Sequence, residues 1–129
     1  MGRCRVAQPG VDRLTLSGGD YVDVKRELNA GEYYDLLVAL GERKPFSKIL
    51  QYVVGWSFTG LADTPIPYAL DMDEEARRDT VRALDKATIR ELVDAVDKHE
   101  AAEERALEEK KRMAAAPPTS NPTSASAAP

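Results

Sequence analysis

Between Tyr52 and Leu70 the chain reads YVVGWSFTGLADTPIPYAL, and Asp63 is its only charged side chain. Elsewhere the chain is dense in charge, with Asp, Glu, Lys and Arg making up 31% of its 129 residues. The stretch holds the single tryptophan, one of the two phenylalanines, and Pro65 and Pro67 on either side of Ile66. Large apolar groups are scarce outside it, so any fold must either cover this segment or leave it for a partner. A foldable part of roughly 105 residues can bury a real but modest core. Two readings of Tyr52, Trp56, Phe58, Ile66 and Tyr68 follow. They complete that core, or they form a partner-binding surface of the kind in which aromatic anchors carry most of the energy.

The rest of the chain supplies the frame. Residues 1–12 show no periodicity and are expected to be flexible. In RLTLSGGDYVDVK, residues 13–25, alternating and β-branched positions flank a Gly-Gly turn, which predicts a β-hairpin. A hairpin alone is marginal in water and must lie on helices. Asn29 followed by Glu32 matches a capping box. Tyr33, Leu36, Leu37 and Leu40 then recur at three- and four-residue spacing, predicting an amphipathic helix that stops near Gly41. The segment FSKILQYVVGWSF, residues 46–58, reads as a second helix, apolar on nearly every side. Thr64-Pro65-Ile66-Pro67-Tyr68 should run extended, since each proline restricts itself and the residue before it.

From Asp71 onward the pattern is helical. Asp71 or Asp73 can cap a short helix ending near Leu84, and Asp85 a longer one with Ile89, Leu92, Val93 and Val96 on one stripe. Past His99 the stripe fades into alanine and charge, so residues 106–113 should project from a domain spanning 13–105. Residues 114–129, rich in Ala, Pro, Ser and Thr, cannot bury enough surface to offset chain entropy and are expected to be disordered. The predicted class is α+β, mainly α: an N-terminal hairpin packed on a small helical bundle, a long C-terminal helix and a disordered tail.

Charge and chemistry narrow the function. Residues 1–70 carry eight basic and eight acidic side chains, whereas 71–113 carry ten and fourteen. The surplus is acidic and sits in the helical half, which disfavours nucleic acid as a partner. No apolar run is long enough for a membrane helix. Cys4 is the only cysteine, so no internal disulfide can form and a reducing, cytoplasmic setting is the simpler expectation. His99 is the only histidine and, between Lys98 and Glu100, reads as a solvated surface group. The carboxylates at 71–75 lack the glycine turn of a calcium loop and read as helix N-terminal charge. No set of groups converges as catalysis requires, so neither enzymatic activity, a metal nor a cofactor is expected.

Three segments taken together carry a resemblance. They are LSGGDYVDVKRELNAGEYYDLL, ILQYVVGWSFTGLADTPIPYALD and VDAVDKHEAAEE. In this order they resemble the tail assembly chaperones of long-tailed, siphovirus-type bacteriophages, over about residues 13–105. The resemblance implies binding to the long helical tape measure protein, which is kept soluble while the tail tube polymerises around it. It implies the tail tube protein as a further contact, a place in the host cell cytoplasm and absence from the mature virion. It also implies a longer, frameshifted form in many members. Self-association through the exposed C-terminal helix stays open. The competing readings are a structural virion protein of the tail or head-tail connector and, more remotely, a host-directed binder.

Overall fold

The computed structural model describes residues 5–115. The fold is α+β and mainly helical: a three-stranded antiparallel sheet leans on four helices. Strand β1 (Val11–Thr15) pairs with β2 (Tyr21–Lys25) through a tight turn at Ser17–Gly19, where Gly18 and Gly19 have φ of 69° and 81°. The register places Leu14 opposite Val22 and Val11 opposite Lys25. Order therefore begins before the expected hairpin start at residue 13. Val11 and Asp12 are strand residues, and Asp12 is held by Arg26 at 3.0 Å. On the outer face Arg13 grips the Asp23 carboxylate with two hydrogen bonds of 2.8 and 3.1 Å and stacks over Tyr21. The alternation along β2 turns Val22 and Val24 fully inward.

Helix α1 (Ala30–Gly41) starts at the predicted capping box. The Asn29 side chain accepts from the Glu32 N–H, and Glu32 accepts from the Asn29 N–H, both at 2.9 Å. Helix α2 (Ser47–Tyr52) is much shorter than the sequence suggests. The helix expected over residues 46–58 ends at Tyr52, and Val53–Trp56 form a third strand, β3, antiparallel to β2. The physical reason is tertiary. β2 has a free edge, and Val53, Val54 and Trp56 suit a pleated, half-buried strand, while Gly55 disfavours continuing the helix. Val53 opposite Val24 then closes the centre of the sheet.

Helix α3 (Glu74–Arg82) is capped by Asp73, which accepts from the Glu75 N–H. Helix α4 (Lys86–Ala115) begins where Asp85 accepts from the Thr88 N–H at 2.7 Å. It runs 30 residues, about 45 Å at the rise of an α-helix. Leu92 and Val96 are buried, as the predicted stripe requires, while Val93 faces outward. The tail expected over 114–129 begins inside this helix, since Ala114 and Ala115 are helical, and residues 116–129 lie outside the described residues. Near its end, Leu107 and Lys110 border a groove shared with Gln8 and Arg26, so the end of α4 is not wholly free of the domain.

The core joins Val22, Val24 and Val53 of the sheet to Leu36, Ile49, Leu50, Val81, Leu92 and Val96 of the helices. Two arginines of α3 fasten the connections. Buried Arg78 donates to the Pro45 carbonyl at 3.2 Å and pairs with Glu74 and Glu75. Arg77 donates to the Leu50 carbonyl at 3.0 Å, near the C-terminal end of α2.

Candidate functional site

The five aromatic and aliphatic residues singled out in the sequence do not form one surface. Tyr52 is 2% exposed; its hydroxyl donates to Glu103 of α4, and its ring meets His99 edge-on. Burial pushes that hydroxyl's pKa well up, and the neighbouring Glu103 carboxylate adds to the shift. Phe58 and Tyr68 are also buried. Both pack on Trp56, with ring centroids 4.9 and 4.5 Å away. Tyr52, Phe58 and Tyr68 are therefore core residues whose faces are already covered. The Tyr68 hydroxyl lies beside Arg77 without reaching hydrogen-bond geometry. Its burial raises the pKa, against an opposing pull from Arg77.

Trp56 and Ile66 are half-buried and bound to each other: the indole N–H donates to the Ile66 carbonyl at 2.9 Å. The loop that carries Ile66 is a small ribbon. The Ile66 N–H donates to Phe58, Thr59 pairs with Pro65, and the Gly60 N–H donates to Thr64 at 2.7 Å. At its tip Leu61 is 93% exposed, on a turn where Ala62 and Asp63 both have φ of 57°. Thr64, before the first proline, is extended as expected, and Tyr68 faces the domain rather than solvent.

Among the described residues, the densest group of exposed apolar side chains lies on α1. Only Leu36 of this helix enters the core. Tyr33, Tyr34, Leu37, Val38 and Leu40 are all exposed, Tyr34 at 64% and Val38 at 59%. At 3.6 residues per turn these five span an arc of about 160°, shared with Ala30 and Gly41 and free of charge. Glu32, Asp35 and Glu42 lie on the opposite side. Three of the four residues expected to form the buried stripe of this helix, Tyr33, Leu37 and Leu40, thus face out. The loop between α1 and α2, tied by Ser47 to the Lys44 carbonyl at 2.6 Å, seats α1 so that only the Leu36 side meets α2. The sequence carried one sign of this: six of the eight residues from Tyr33 to Leu40 are large and apolar, more than one buried face of a small domain can use.

A groove of about 270 Å³ continues the surface from Leu40, past Phe46 and Ile49, to Val93 of α4. The charges beside it are paired within the chain, Lys44 with Glu42 at 3.3 Å and Lys48 with Asp97 and Glu100 at 2.9 and 2.8 Å.

His99 departs from its reading as a solvated group. Its Nε2–H donates to the Lys25 carbonyl at 2.9 Å, fixing the end of β2 against α4. Glu91 performs the same service at the hairpin turn, accepting from the Ser17 N–H and hydroxyl at 2.6 and 2.9 Å. Glu103 accepts from the Leu28 N–H at 3.0 Å as well as from Tyr52. These bonds link residues far apart in sequence and have no local signature. Among the described residues no three His, Cys, Asp or Glu side chains are arranged to hold a metal ion, and no helix is long and apolar enough to cross a membrane. Cys4 lies outside the described residues. Comparison with known proteins finds no matching family model, no matching curated protein and no matching solved structure.

Proposed function

We propose that the chain is a non-enzymatic protein-binding module that acts as a tail assembly chaperone, holding the tape measure protein soluble in the host cytoplasm while the tail tube forms. The observation that carries the reading is the charge-free, exposed arc on α1. A small domain rarely leaves so much contiguous apolar surface open without a use for it. The charged exterior of α3 and α4 supports it as well, since a carrier of an apolar chain must itself stay in solution. Individual contacts of this size are weak, and affinity would come from many copies along one long partner. Trp56 and Ile66 contribute by stiffening the domain and through their half-exposed edges, whereas Tyr52, Phe58 and Tyr68 contribute through the fold alone.

The test is retention of a tagged full chain from cells that express the neighbouring tail genes, run beside a proteome of purified particles. Recovery of a very long helical protein, with this chain missing from the particles, is the expected outcome. Stoichiometric presence in particles would replace the chaperone with a structural virion component.

A further inference from the structure

We infer that the apolar face of α1 seats one amphipathic α-helix of a partner protein, laid along α1 with its edge in the groove formed by Phe46, Ile49 and Val93. This deepens the proposed function and rests on it only for the identity of the partner. The choice of a helix comes from the surface. Tyr33–Leu37 and Tyr34–Val38 are two four-residue rows on a single helix, and such rows leave between them the furrow into which the ridge of a second helix packs. Leu40 joins the rows to the groove, so the partner would touch α1 on one side and α2 and α4 on the other.

Size decides against a second copy of the chain. A helix of 12 residues is about 18 Å long. With the groove, its open face amounts to something on the order of 500 Å². A stable protein–protein interface takes about 800 Å² from each side. The patch falls short of that for a homodimer, yet matches a partner helix of about three to four turns, the usual geometry of helix-in-groove recognition. Charge decides against an anionic ligand. The lysines beside the groove, Lys44 and Lys48, are already engaged by Glu42, Asp97 and Glu100.

The probe is a fluorescein-labelled peptide of about 22 residues, with leucine on one helical face and equal numbers of Glu and Lys on the other, long enough to form a stable helix on binding. Titration with the full chain, followed by anisotropy, should show saturable binding. The double variant Tyr34→Asp/Leu37→Asp should weaken it at least about tenfold, while Leu61→Asp, at the exposed loop tip, changes it less than about twofold. Circular dichroism melts establish that each variant is folded. Should the Asp pair unfold α1, Tyr34→Ser/Leu37→Ser carries the same expectation. No binding by the unaltered chain, or equal binding by the folded α1 variant, overturns the inference. Sedimentation velocity covers the other occupant: a dimer that grows with concentration and disappears in the α1 variant assigns the face to a second copy and also overturns it. If the peptide binds through α1 but the tape measure protein is not retained, the chaperone reading fails and the helix seat stands.

Discussion

Residues 52–68 and helix α1 exchange the roles their compositions suggest. The first is the apolar, aromatic stretch that looks made for a partner, and it is folded inward: Tyr52, Val53, Phe58 and Tyr68 are buried and Trp56 is closed over by the Ile66 ribbon. The second carries a regular helical stripe that looks made for a core, and most of it faces solvent. The difference lies in what each segment meets. The 52–68 stretch pairs with β2 on one side and is met by α4 on the other. Helix α1 touches the domain along one edge, at Leu36. Apolarity fixes that a surface will be covered; topology decides whether the cover comes from the same chain.

The contrast can be broken or sharpened by substitution. The largest effect is expected at Tyr52→Ala, which empties a site 2% exposed and should cost about 3–5 kcal/mol in urea unfolding. A loss under about 1 kcal/mol would mean the stretch is not core and would end the comparison. Trp56→Ala, at a half-buried site stacked on two rings, should cost about 2–3 kcal/mol. Tyr52→Phe keeps the ring but removes the donor to Glu103, for about 1–2 kcal/mol. On α1, Tyr34→Ser and Val38→Ser should each leave stability within about 0.5 kcal/mol, because both side chains are largely exposed and Tyr34 meets only the edge of the Tyr33 ring on the same helix. A larger loss there would show that α1 is covered in solution.

Acid titration gives the smallest and most diffuse effect. Burial alone would raise the pKa of Glu32, but the Lys25 ammonium and the Asn29 N–H hold it below the ordinary carboxylate range. Hydrogen bonds from Thr88 do the same for Asp85. Both groups are depressed in the folded state, so their stabilisation is complete above the unfolded values, near pH 4. It is lost as pH falls through the lower folded values. Melting temperature should therefore stay level from neutral pH down to about 5 and decline below about 4. Asp85→Asn should flatten part of that decline.

Local chemistry was legible in the sequence and long-range chemistry was not. The caps at Asn29, Asp73 and Asp85 and the Gly18-Gly19 turn each depend on residues within a few positions, and all are present. The strand β3 was hidden because Ile49, Leu50, Val53 and Val54 also fit a helical spacing. The free edge of β2 that captures Val53–Trp56 belongs to residues some thirty positions earlier. The partners of His99, Glu91 and Glu103 were unreadable for the same reason. The candidate surface on α1 was foreseen as core, because its three- and four-residue spacing is also that of a buried stripe.

Helix α4 fastens the sheet and its exit at three points: Ser17 to Glu91, Lys25 to His99, and Leu28 to Glu103. The two members of each pair are separated by 74, 74 and 75 residues. On a ribosome adding roughly 5–20 residues per second, the hairpin therefore waits on the order of 4–15 s for the side chains that complete it. During that interval the inner faces of Val22 and Val24 lack their cover, and the apolar side chains of the α1 segment are already part of the chain. The newborn chain thus passes through a period in which it displays far more sticky surface than the finished protein, and crowded translation of many copies would be the moment at which it is most prone to stray association.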